Sequence, residues 1–227
     1  MVTDILKEMV EAGVHYGHQT RKWNPKMRNN ILTDKAGIHV IDLNKTVEAI
    51  DEASKFLADL NAKGKKILFV GCKRQAQEPI KEIAEKTGHY YVNHRWLGGM
   101  LTNLVTIRNS VARLEYLENI EKQPEYKAMS KKELSALNRE RIKLFNNLQG
   151  IRNMEKFPAA MVIVDTARES IAVAEAKRLR IPTVAIVDTN ADPRIVDHAI
   201  PGNDDSIRSI KLILEQLVDP IKAQQND

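Results

Sequence analysis

The chain has 227 residues, 43% hydrophobic and 29% charged, a balance that supports a buried core and excludes a disordered tail. No apolar run approaches the roughly 18 residues of a membrane-spanning helix. A lone cysteine, Cys72, rules out an intrachain disulfide and suits a reducing compartment, and a formal net charge of +5 hints at an anionic partner.

The opening stretch MVTDILKEMVEAGVHYGHQ spaces its apolar residues as a helix does. It lacks the basic-then-apolar order of a secretory signal, so a cytoplasmic location is expected. Residues 15–28 then hold His15, His18, Arg21, Lys22, Lys26 and Arg28 with no acid between them. Within RKWNPKMR the cations alternate with Trp23 and with Pro25, which stiffens the loop. The apolar run IHVIDL (38–43) predicts a buried strand, followed by a helical pattern over 45–62.

A second strand is predicted at KILFVG (66–71) and a helix at 75–87. Residues 63–81 carry six Lys/Arg, among them Lys73 and Arg74, against the single acid Glu78. HYYVN (89–93) reads as a further strand. From Lys86 to Leu114 there is no Asp or Glu, yet Arg95, Arg108 and Arg113 are present. In NHRWLGGMLTN (93–103), Trp96 and Leu97 are expected to pack a corner. Arg95 and the permissive backbone at Gly98 and Gly99 are left to meet a ligand.

Residues 102–122 place Leu104, Ile107, Val111, Leu114 and Leu117 at coiled-coil spacing. After the breaker KQPEYKAMS, residues 131–150 repeat it with Leu134, Leu137, Leu144, Leu148 and Ile151, although Arg141 falls on the stripe. Two such segments predict an antiparallel helical hairpin protruding by roughly 30 Å and sharing little core. Strands at MVIVDT (161–166) and TVAIVDT (183–189) enclose a helix over 168–180, and a last helix is expected at 204–217. The alternation predicts an α/β fold: a three-layer, doubly wound, mainly parallel sheet, flavodoxin-like or Rossmann-like. Residues 1–101 and 151–227 form its body, and 102–150 the inserted coiled-coil hairpin.

Enzyme signatures are poor. The loop GCKRQAQEP lacks the glycines of a dinucleotide or phosphate loop, and Cys72 has no local base. Asp165 and Asp188 end parallel strands, and with Asp204 and Asp205 they suit a metal-dependent phosphoryl-transfer enzyme, the alternative to a binding protein. Helix capping explains these acids without a metal, and Thr166 with Glu169 reads as a capping box. A structural divalent ion held by His18, Asp188, Asp204 and Asp205, with the His nitrogen favouring zinc, is the other reading. No other cofactor, no small-molecule substrate and no membrane contact are expected. A free regulatory RNA-binding protein is disfavoured, because no RNA-recognition module is visible.

VHYGHQTRKWNPKM, NHRWLGGMLTN, IPTVAIVDTN (181–190), the Asp-Pro pair 192–193 and IPGNDDSIRSI (200–210) are similar to the bacterial small-subunit ribosomal protein two family. The resemblance spans nearly the whole chain. It implies an α/β domain with a coiled-coil hairpin, bound to small-subunit ribosomal RNA near the junction of head and body. It also implies support of subunit assembly, neighbouring ribosomal proteins, and docking of the large messenger-binding ribosomal protein. Contacts made by the longer C-terminal tail of some relatives are not expected here. The residues matched to RNA by type and place are Arg21, Lys22, Trp23, Lys26, Arg28, Lys73, Arg74, Arg95 and Arg108.

Overall fold

The computed structural model describes residues 2–122, 126 and 129–226; residues 123–125 and 127–128 of the breaker lie outside the described residues. Helix α1 (Val2–Ala12) leads into a three-stranded antiparallel sheet of β1 (Tyr16–Gln19), β2 (Ile31–Lys35) and β3 (Ile38–Ile41), in the order β1-β3-β2. Ala36 and Gly37 join β2 to β3 with φ of 52° and 78°, the two positive values that a tight hairpin turn needs. IHVIDL is thus a strand, but in this small sheet and not in the parallel one. The tight turn at Ala36 and Gly37 pairs it with its sequence neighbour β2 instead.

Helix α2 (Leu43–Ala62) opens on an Asp42 side chain that accepts the Asn44 amide. The parallel sheet follows: β4 (Ile67–Val70), α3 (Gln77–Thr87), β5 (Tyr90–Val92), β6 (Ala160–Val164), α6 (Ser170–Leu179), β7 (Thr183–Val187) and β8 (His198–Pro201), closed by α7 (Ile207–Asn226). Its order β5-β4-β6-β7-β8, all pairs parallel, is the flavodoxin-like arrangement with the switch point between β4 and β6. β8 was not foreseen, because HAIP is short and ends in proline; α7 runs through Pro220 and past the expected end at 217.

Successive side chains of β4, β6 and β7 go to opposite faces, and both faces are buried. Phe69, Val162 and Ile186 join α2, α3 and α7 in one cluster. Leu68, Val70, Ile163 and Val187 join Ala172 and Val173 of α6, Trp96 and Met27 in the other. The result is a three-layer sandwich.

Between β5 and β6 lie α4 (Leu104–Glu118) and α5 (Lys131–Leu148). A capping box between Ser130 and Glu133 starts α5. Arg113 pairs with Glu140, and Arg108 reaches the carbonyls of Arg152 and Met154, so the two segments run antiparallel. Burial is unequal. Ile107, Val111, Leu114 and Leu117 are buried, and the first three belong to the cluster under Trp96, whereas α5 buries only Leu148 among its described residues. The inner helix therefore shares the body's core more than the sequence pattern suggests. At Arg141 the seam opens into a cleft of about 650 Å³, lined also by Leu117, Leu134 and Leu137.

Candidate nucleic-acid interface and the carboxylate cluster

The basic stretch after β1 is shaped by two short 3-10 turns, Thr20–Lys22 and Pro25–Asn30. Asn24 caps the second by accepting the Lys26 amide, and Pro25 sits where a missing N–H costs nothing. Met27 turns inward, fully buried, and so anchors the loop to the core while Arg21, Lys22, Lys26 and Arg28 point to solvent. Trp23 is half-buried, its ring 5.2 Å from that of His39. Lys26 Nζ lies 2.8 Å from Asp192 Oδ2 on the loop after β7. Arg74 and Arg95 are exposed. Arg108 is half-buried and spent on two backbone carbonyls, which leaves less of it for a ligand.

Lys73 does not face outward. It is 9% exposed, and its ammonium lies 2.6 Å from Asp204 Oδ1, 2.6 Å from Asp205 Oδ1 and 3.4 Å from Asp165 Oδ2. Burial alone would lower its pKa, but the bonds to Asp204 and Asp205 outweigh this and the net shift is upward. A residue read as a phosphate contact is thus an internal counter-ion.

At Trp96 the expectation of a packed corner holds: the indole is 7% exposed and donates to Glu175 Oε1 at 3.1 Å. Gly99, at φ 86°, donates its amide to the same oxygen, and Leu101 and Thr102 donate to Oε2. The Gly99 backbone is therefore occupied from within the protein. Glu175 lies far away on α6, and nothing local in the sequence marked it as the acid serving this acid-free stretch.

The carboxyl ends of β6 and β7 carry the second constellation. His18 Nδ1 is 3.0 Å from Asp188 Oδ2, and His18 Nε2 is 3.5 Å from Asp205 Oδ2. Gly17 lets β1 approach: a Cβ there would lie 2.5 Å from Thr189 Cγ2, and the His18 amide donates to Thr189 Oγ1 at 2.8 Å. One ligand atom from each of His18, Asp188, Asp204 and Asp205 lies within 4.8 Å of the others. Asp204 Oδ2 is buried without a hydrogen-bond partner among the described residues. Burial, with Asp188 and Asp165 nearby, pushes the Asp204 carboxyl up to about 7. The His18 imidazole is shifted upward by its bond to Asp188, against burial.

Helix capping does not account for Asp188, Asp204 and Asp205. Asn203 accepts the amides of Asp205 and Ser206, and Ser206 Oγ accepts that of Ser209, so α7 is capped by neighbours. Asp188 Oδ1 instead accepts the Thr189 amide at 2.5 Å. The Thr166–Glu169 capping box is also absent. Asp165 accepts the Arg168 amide, while Glu169 crosses the sheet edge to the Cys72 amide at 3.0 Å. Burial, and then the negative charge of the Glu169 carboxylate beside it, raise the Cys72 thiol to about 12, which keeps it a protonated core group.

The site thus pairs its acids with Lys73 and His18, beside a protonated thiol. The family model for ribosomal protein S2 matches residues 9–223. The chain is 52% identical over 214 residues to the small ribosomal subunit protein uS2 of Bdellovibrio bacteriovorus, covering 94% of this chain and 68% of the relative. It is 50% identical over 221 residues to that of Acidobacterium capsulatum, covering 97% and 73%. It is 49% identical over 221 residues to that of Koribacter versatilis, with the same coverage. The chain belongs to the ribosomal protein S2 family, a family of structural ribosomal proteins and not of enzymes. No described helix is long and apolar enough to cross a membrane.

Proposed function

We propose that this chain is a structural component of the small ribosomal subunit in the cytoplasm, bound to small-subunit ribosomal RNA and supporting subunit assembly. The observation that carries the RNA contact is the loop 20–30, where buried Met27 fixes the backbone and four cations are left exposed. Cations held on a stiff loop neutralise phosphates at little ordering cost, and half-buried Trp23 offers an aromatic edge to an unstacked base. Arg74 and Arg95 extend the contact, with Arg108 a weaker contributor and Lys73 withdrawn from it. Neighbouring ribosomal proteins, and docking of the large messenger-binding one, rest on the family resemblance. The hairpin 102–150 is an inserted unit on the body formed by 1–101 and 151–227. Sedimentation of tagged protein from a lysate tests this function: comigration with small subunits through a high-salt wash supports it, and migration as a free species contradicts it.

His18, Asp188, Asp204 and Asp205 favour a second reading, a structural divalent ion. One nitrogen and three carboxylates form a donor set suited to zinc, and the partnerless Asp204 oxygen is the observation that favours it. The donors need only modest contraction, since ligand atoms around tetrahedral zinc lie about 3.4 Å apart. Lys73 bonds the Oδ1 atoms of Asp204 and Asp205 and leaves their Oδ2 atoms to such an ion.

A further inference from the structure

At the opposite edge of the sheet, where β7 begins, a cleft of about 390 Å³ opens between the end of α6 and the loop before β8. Its volume equals roughly a dozen water molecules, more than a bare phosphate group fills. Lys177, Arg180 and Arg194 line it, and all three are exposed. Lys177 and Arg180 have no ion pair among the described residues. The one acid in the lining, Asp197, is exposed, and its Oδ2 accepts the Thr183 amide at 2.8 Å and its hydroxyl at 2.9 Å, so three cations stand against one carboxylate. The mouth of the cleft therefore keeps an excess of positive charge.

Two features set Arg180 and Arg194 apart from ordinary exposed cations. Arg180 ends α6 at φ 55°, a left-handed position where glycine is the unstrained choice. Arginine costs about 1 kcal/mol there, so the fold alone does not favour it. Asp192 holds Arg194 through Nε at 3.1 Å and Nη2 at 3.4 Å, and leaves Nη1 without a partner among the described residues. The same carboxylate holds Lys26 at 2.8 Å. It is a staple between this cleft and the basic loop 20–30, and its bonds to Arg194 and Lys26 keep its pKa far below the usual carboxylate range.

We infer that Lys177, Arg180 and Arg194 form a second backbone-phosphate site for ribosomal RNA, continuous through Asp192 with the loop carrying Lys26. This rests on the RNA-binding reading above. The RNA backbone is favoured over a protein neighbour because three cations face one lining carboxylate and two of them, Lys177 and Arg180, have no ion pair among the described residues, so phosphates can replace their counter-ions. An RNA strand that crosses Arg28 and Lys26 then meets Arg194 and passes into the cleft.

The test is binding of the full-length chain to purified small-subunit ribosomal RNA between about 0.05 and 0.2 M salt. In the Lys177→Gln/Arg180→Gln/Arg194→Gln variant the logarithmic salt slope should fall by about two, since each lost phosphate contact removes roughly 0.7 to 0.9. Arg180→Gly separates binding from folding: melting temperature should hold or rise while RNA affinity drops severalfold. An unchanged slope in the folded triple variant, with steep binding by the unaltered chain, overturns the cleft alone. Salt-insensitive binding by the unaltered chain overturns the RNA reading and the cleft with it. Full RNA binding with lost incorporation into subunits overturns it too, and assigns the cleft to a protein neighbour.

Discussion

The Glu175 carboxylate on α6 accepts the Trp96 indole N–H at 3.1 Å and thereby fastens the turn after β5 to the helix layer. Three amides and the Thr102 hydroxyl complete its shell. Burial works against its ionised form, but these donors outweigh it and its pKa is lowered. Glu175→Gln keeps the shape and reverses one end, so that an amide N–H₂ meets the Leu101 and Thr102 amides. Unfolding in denaturant should show a loss of about 3 kcal/mol, the cost of leaving buried donors unpaired. A loss under about 1 kcal/mol would show that the turn holds without this acid.

The sequence made the parallel strands legible because each is a continuous apolar run: a strand buried on both faces has no alternation to disguise it. The hairpin of β2 and β3 was missed since Leu32 and Ile38 are exposed and no pattern separates in from out. The acids at the sheet edge were found by topology, as ends of parallel strands. Their neighbours were not, because Lys73 sits in a basic run and only the fold reveals that it turns inward. The capping expectation failed for a related reason. Local spacing permits a cap, but Glu169 and Asp188 satisfy stronger demands from Cys72, Thr189 and His18.

A pH prediction comes from His89. It is 8% exposed, stacks on Phe69, and has neither ring nitrogen hydrogen-bonded among the described residues. Burial, with Lys66 nearby, lowers it to about 4. The unfolded chain takes up this proton near pH 6.5 and the folded one only near 4, so stability falls as pH drops through that window. The contribution is about 3 kcal/mol. Urea melts of His89→Phe should lose most of this acid sensitivity; an unaltered pH profile would show that His89 is not its source.

The carboxylate cluster makes a metal prediction. Protein purified without chelator should contain about one divalent ion per chain, zinc before magnesium. Excess chelator should lower its melting temperature by several degrees, and His18→Ala should abolish that response. Metal-free preparations that melt identically with and without chelator would leave Lys73 as the sole cation of the site. In chelator, Lys73→Met should then cost about 3 kcal/mol, because it strands buried carboxylates.

The unequal burial of α4 and α5 is testable by a pair of substitutions. Leu114, fully buried, should cost about 3 kcal/mol on change to alanine, whereas half-buried Leu137 should cost about 1. Equal costs from thermal melts would place both helices at the same distance from the core.

The loop 20–30 bears the central claim. Small subunits stripped of this protein should rebind it with a steep salt dependence. Replacing Arg21, Lys22, Lys26 and Arg28 by glutamine should lower the logarithmic slope by about three. The fold should survive, because none of the four side chains is buried and only Lys26, through Asp192, holds an ion pair among the described residues. A folded quadruple variant that rebinds with the slope of the unaltered chain would contradict the account.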